Sequence, residues 1–269
     1  MRLSPTVTGI VMNAPITVGL VSTTVKINAP TVGSQDFTAG VLTLGGAIGG
    51  AGNVTFNATT NSNQLYNVLL TAQSNYTGST LMDTTALTTA GNSSNQQIVV
   101  RLGINDALPT TTVLTIDGQG GNGTGRVAEF VLNGFSQSLA GLSNTVRPSR
   151  VQRVVNSDVS TAATLTINGS VNSTYSGALG VNSAANSVAV VNFTGSTNGN
   201  NFGLTKNGSG TFTLTGANPF YGTTLISGGI LSLGNASALS QSPVDTLNSV
   251  VGDATNGLQT TVTDRKSVV

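Results

Sequence analysis

Two carboxylates, Asp106 and Asp117, flank the stretch ALPTTTVLTI, and a pair of this kind can act as acid and base across a glycosidic bond. Each stands beside a turn residue, where aspartate commonly accepts hydrogen bonds from nearby backbone, and that is the reading adopted. RPSRVQR brings Arg147, Arg150 and Arg153 together. With Asp158 they could hold an acidic sugar or serve a lyase; a solvated loop with locally paired charges is the simpler expectation. GQGGNG (Gly118–Gly123) satisfies a dinucleotide-binding glycine pattern after a strand, yet the following RVAEFVLNG alternates as a strand and presents no helix N-terminus to a phosphate. GGNGTG (Gly120–Gly125) approaches the calcium-binding nonapeptide, but Gly125 stands where that motif needs Asp. No catalytic, cofactor-binding or metal residue is therefore assigned, no cofactor is expected, and the chain is not expected to be an enzyme.

Composition narrows the chemistry further. The 269 residues include neither Cys nor His, which removes thiol chemistry, disulfides, imidazole bases and the usual zinc ligands. Charged residues are only 7%, where about 25% is usual. Ser, Thr and Asn supply roughly a third of the chain, so polarity here is hydroxyl and amide. Ten basic and nine acidic residues leave a net charge of +1, too weak a field to collect nucleic acid. Hydrophobic residues at 38% are enough for a core.

The elements that must carry these residues read as strands. VLTLGG (Val41–Gly46), LTIDG (Leu114–Gly118), LTING (Leu165–Gly169) and LSLGN (Leu231–Asn235) each alternate apolar with Thr or Ser and close on Gly or Asn. LLTAQSNYTGSTL (Leu69–Leu81) lies over TLTGANPFYGTTL (Thr213–Leu225) without a gap, and YSG (Tyr175–Gly177) repeats the aromatic–x–Gly. GGAIGGAGNVTF (Gly45–Phe56) resembles GLTKNGSGTF (Gly203–Phe212). Internal repetition of this kind predicts a solenoid.

Stacked coils stand about 4.8 Å apart, so a repeated charge would face its copy at a cost on the order of 1 kcal/mol even in water. Thr, Ser and Asn stack without that repulsion, and asparagine ladders add side-chain hydrogen bonds. Phe212, Leu214, Leu231 and Leu233 are expected inside and Thr211, Thr213 and Ser232 outside. Phe212, Phe220 and Tyr221 are expected to be core or coil-stacking residues rather than a sugar platform. A period of roughly 20 residues predicts about a dozen coils and near 60 Å of rod.

The segment GLTKNGSGTFTLTGANPFYGTTLISGGILSLGNASALS (Gly203–Ser240) resembles the autotransporter-associated β-strand repeat, also called the passenger-associated transport repeat. It carries Leu204, Thr205, Lys206, Gly208, Gly210, Thr211, Leu214, Gly216, Asn218, Gly222, Thr224, Gly229, Leu231, Leu233 and Gly234 at that family's positions. Phe212 replaces its usual Leu and Phe220 its usual Tyr. A weaker copy covers residues 42–81. The resemblance implies an all-β, right-handed parallel β-helix within a secreted or surface-displayed bacterial passenger. It also implies that the repeat aids passage across the outer membrane, and the stacked polar faces are expected to support adhesion or self-association.

The partners so implied are a translocator β-barrel, cell-surface glycans or further copies of the chain; a polysaccharide-acting enzyme or a carbohydrate-binding module is the alternative. Residues 1–263 are read as a fragment of such a passenger. MRLSPTVTGIVMNAPITVGL is interrupted by Pro5, Asn13 and Pro15 and does not read as a signal peptide. The tail DRKSVV (Asp264–Val269) back-translates as GATCGGAAGAGCGTCGTG, a common sequencing-adapter read, and is expected to be foreign to the native gene.

Overall fold

In the computed structural model the described residues are 9–19, 24–28, 31–32, 41–57, 65–84, 97–117, 127–145, 151–181, 199–246 and 258–260. They contain strands and turns and no helix. The strands stack in parallel ladders, coil upon coil, as a three-sided β-solenoid. Side one runs through Gly9–Met12, Val41–Leu44, Leu65–Leu70, Gln97–Leu102, Val127–Val131, Val151–Val155 and Ala178–Leu179. Side two begins with Ile16–Val18 and Ile48–Gly50. It resumes, after two coils in which irregular arches replace the strand, with Gln137–Leu139, Ala163–Ile167, Phe202–Lys206, Thr224–Ile226 and Val244–Thr246. Side three runs from Thr24–Asn28 through Asn53–Asn57, Thr80–Asp83, Val113–Asp117 and Gly141–Thr145. It then continues along Ser173–Tyr175, Thr211–Leu214, Ile230–Leu233 and Leu258–Thr260. Among the described residues one pairing is antiparallel, Thr31–Val32 against Leu65–Tyr66, on a strand of side one.

The four strands expected from alternation are all present, at Val41–Leu44, Val113–Asp117, Ala163–Ile167 and Ile230–Leu233. Phe212, Leu214, Leu231 and Leu233 join one continuous core, and Thr211, Thr213 and Ser232 face outward. Hydroxyl stacking is visible where Thr115 and Ser143 pair in register and their Oγ atoms stand 3.0 Å apart. The avoided like-charge stack does occur once in the described ladders, at Asp83 and Asp117.

The expected uniform 20-residue period is corrected. Val127 pairs with Val151, an advance of 24, and Gln97 with Val127, an advance of 30. Only the C-terminal coils reach the shorter step, with Leu204 on Thr224 and Thr211 on Ile230, advances of 20 and 19. The described residues therefore close nine coils, or about 40 Å of rod at the usual strand spacing.

The internal copies also sit differently from a simple coil-on-coil duplication. In both, a strand ends on a buried Leu (Leu70, Leu214), an arch follows with a buried aromatic (Tyr76, Phe220), and a new strand opens on a fully buried Thr (Thr80, Thr224). Gly78 and Gly222 match as well, since a Cβ on either would lie 2.3 Å from a backbone oxygen of the preceding coil. The first arch lies on side two, where Asn75 N donates to Ile48 O, and the second on side one, where Phe220 N donates to Leu179 O. Tyr175 of the third aromatic–x–Gly is a strand residue and does not form such an arch.

Asparagine contributes in a way other than the expected ladder. Asn53 Oδ1 accepts from Ser79 N, Asn105 from Ser136 N, Asn144 from Ser176 N, Asn172 from Thr211 N and Asn218 from Leu179 N, each across neighbouring coils. These amides fasten the backbone at corners, where the chain leaves one sheet and its own ladder bonds stop. Asn218 is the most enclosed, for its Nδ2 also donates to Ala238 O at 3.0 Å and Gly216 O at 3.1 Å. Asn218→Ala strands a buried N–H and buried carbonyls, and a loss of about 2–4 kcal/mol is expected in urea unfolding. A loss under about 1 kcal/mol would show that the staple is dispensable.

Candidate functional site

Among the described residues the sequence candidates Asp106, Asp117, Arg153 and Asp158 lie in different parts of the fold. Asp106 sits at φ 51° in a side-two arch, and its Oδ1 accepts from Ser138 N of the next coil at 2.7 Å. Asp117 ends a strand on side three, stacked on Asp83. Asp158 accepts from Ser160 N and Thr161 N at 2.8 and 3.0 Å, and those bonds hold its carboxyl below the usual range. Asp106 and Asp158 act as corner and turn acceptors, a common role of aspartate beside turns. Arg147, Arg150 and both glycine patterns, Gly118–Gly123 and Gly120–Gly125, lie outside the described residues. Among the described residues no group of three or more metal-ligating side chains occurs, and no helix is long and apolar enough to cross a membrane.

Arg153 is not the solvated loop residue expected. It lies in the Val151–Val155 strand, 1% exposed, directly opposite Glu129 in the register of the two coils. Its Nη2 stands 3.5 Å from Glu129 Oε2. Glu129 is fully enclosed, and Arg101 approaches it from the coil before. Burial pushes the Glu129 carboxyl up, while first Arg153 and then Arg101 pull it down. The cluster forms because side one is buried on both faces at these coils. Val99, Val131 and Val155 on the outer face are as enclosed as Val100, Phe130 and Val154 on the core face.

The second buried charge belongs to the repeat-like segment. Lys206 ends the Phe202–Lys206 strand pointing inward, and its register partners are Ile167 and Ile226. Leu139, the register partner of Ile167, has the same place one coil earlier still. An ammonium among aliphatic side chains costs several kcal/mol unless every N–H is used. Lys206 is 1% exposed, and Nζ donates to Asn207 O at 2.7 Å, Gly208 O at 2.9 Å and Gly228 O at 3.2 Å. Its donors are thereby spent, and two successive coils are tied at one corner. The corner needs its glycines: Gly208 and Gly229 have φ of 73° and 64°, and a Cβ on Gly229 would lie 2.7 Å from Nζ.

No charged residue occurs in 163–172, 207–214 or 224–233, the segments that surround this ammonium. Burial consequently draws its pKa from 10.5 down to about 8. Between those values the unfolded chain binds the proton that the folded chain has released, so stability rises with pH there. Urea midpoints are expected to climb from pH 8 to about 9.5, below the range in which unfolded tyrosines ionise. Lys206→Met should flatten that climb. An equal climb in the variant would remove Lys206 as its source.

Around this corner the aromatic residues divide. Phe202 and Phe220 stack inside with ring centroids 5.3 Å apart, and Phe212 is buried. Tyr221 is not a core or coil-stacking residue as expected, for it is 44% exposed. In the arch Phe220 turns inward and the adjacent Tyr221 outward. The Gly228 acceptor of Lys206 and the Arg153 partner of Glu129 were not legible as motifs, because they lie 22 and 24 positions away. Compared with known proteins, residues 204–233 match the family model of the passenger-associated transport repeat. No curated protein and no solved structure matches the chain.

Proposed function

We propose that the passenger-associated transport repeat at residues 204–233 marks this chain as part of a bacterial autotransporter passenger. In this reading it is a secreted or surface-displayed solenoid scaffold without catalysis. The repeat assists its passage across the outer membrane through a translocator β-barrel, and the exposed sides serve adhesion or self-association.

The observation that carries the reading is the contrast between the repeat and the rest of the solenoid. Repeat coils close every 19 or 20 residues, with one internal charge that is satisfied by backbone within those coils. Such a unit buries its hydrophobic residues after ordering the least chain, and local closure favours rapid folding. A segment emerging unfolded from a narrow pore gains from that economy. The chain has no Cys, so no disulfide can lock it before passage. Tyr221 and Val159, 44% and 56% exposed near the junction of sides one and two, are the apolar surface an adhesive role would use.

The test is export of the chain fused to a translocator barrel, with and without residues 204–233, read as surface-accessible protein. Loss of surface display with undiminished synthesis is the expected result. Equal display of the shortened chain would overturn the transport role.

A further inference from the structure

Several Asn–Gly pairs occur in the described residues, at Asn133–Gly134, Asn168–Gly169 and Asn207–Gly208. This dipeptide can close on itself: the glycine nitrogen, once deprotonated, attacks the asparagine Cγ and expels ammonia. Water then opens the succinimide to aspartate or isoaspartate. The slow part is removing a proton from an amide, which a positive charge on that same peptide unit's carbonyl assists.

Only at Asn207 does the structure supply both parts. Gly208 N–H points at its own neighbour's carboxamide, donating to Asn207 Oδ1 at 2.8 Å. The carbonyl of that peptide unit, Asn207 O, receives the Lys206 ammonium at 2.7 Å, a charge-assisted bond in a nearly dry corner. Asn207 itself is exposed, so hydroxide and water reach it. At Asn133 the arrangement is opposed: Gly134 N–H is taken by Asn156 Oδ1 at 2.7 Å, and Asn133 Nδ2 is held by Leu102 O. Asn168 is half-buried, and its own carbonyl packs against Gly208.

We propose that Asn207–Gly208 is a self-modifying site, at which the Lys206 ammonium promotes succinimide closure and conversion of Asn207 to aspartate or isoaspartate. The bond from Gly208 N to Asn207 Cγ forms, the Cγ–Nδ2 bond breaks, ammonia leaves, and hydrolysis restores an open chain. The product places a carboxylate beside an ammonium that has only dipoles for company. The corner of the transport repeat thereby acquires an ion pair with age, and, in the isoaspartyl product, one extra backbone atom.

The experiment is peptide mapping by mass spectrometry after incubating the full chain in neutral buffer, where the Lys206 ammonium keeps its proton, folded and in urea. In urea the three sites share the same dipeptide and convert alike. In the folded chain Asn207 is expected to convert severalfold faster than Asn133 and Asn168, and faster than in urea. Mere exposure cannot produce the second result, since the unfolded chain is fully exposed. A folded Asn207 that lags its own rate in urea overturns the proposal. Lys206→Met, where its β-sheet spectrum is intact, must also lose the advantage at Asn207, and retention of that advantage overturns it equally.

Discussion

Glu129→Ala is expected to lower the unfolding free energy by about 3–5 kcal/mol, the usual consequence of removing one partner of a buried ion pair. Arg153 would keep a buried guanidinium whose Nε and Nη1 already have no partner. Arg101 would lose the same carboxylate. The companion variant Glu129→Leu with Arg153→Leu removes the facing charges from adjacent coils and should recover part of the loss, because aliphatic replacements of a buried pair are often neutral, while Arg101 still lacks its carboxylate. What the pair supplies is register. Val127–Val131 pairs with Val151–Val155 through side chains that are mostly apolar, and a two-residue slip in either direction would set both Glu129 and Arg153 against Val. The double variant is therefore expected to unfold less sharply in urea, with a reduced slope. A sharp transition at full stability in the double variant would show that the pair contributes nothing to register.

Phe220→Ala should cost a similar amount, about 3–5 kcal/mol, by cavity formation. Phe220 is fully buried, stacks on Phe202 of the preceding coil and lies in the arch between two repeat strands. The arch is short, and its backbone is fastened at both ends, by Phe220 N on Leu179 O and by Gly222 N on Phe202 O. It cannot collapse far to fill the space. Because coils contact mainly their neighbours, the loss should be local: hydrogen exchange is expected to accelerate in residues 199–246 and stay unchanged in Gln97–Val131. Uniform acceleration would mean that the solenoid unfolds as one unit.

The strands were legible because most coils alternate cleanly, as TFTL and ILSL do at Thr211–Leu214 and Ile230–Leu233. Side one carried a different signal. VAEFV and VQRVV are apolar at positions of both parities, the pattern of a strand buried on both faces, and Glu129 and Arg153 follow from it as buried charges. Local spacing instead suggested a loop for Arg153, since its partner arrives only through the register of the next coil. Lys206 was legible as a member of a pattern and not as an internal ammonium, because Gly228 O becomes its neighbour only when the coil closes. Coil number was misjudged for a related reason. The repeat's short period was extended to coils that spend further residues at their corners.

The strand–arch–strand unit has a consequence for how such a chain changes length. Its first copy arches over side two and its second over side one, so the two copies begin on different sides. Strand, arch and strand take one side each, so inserting or deleting one whole unit adds or removes a complete turn and leaves the azimuth of every later feature unchanged, Tyr221 and the Lys206 corner included. A partial unit instead turns everything downstream about the axis. Surfaces that must stay aligned along the rod are then preserved only by changes that come in complete turns. The solenoid's length is in this sense quantised by phase, and its binding faces act as the gauge.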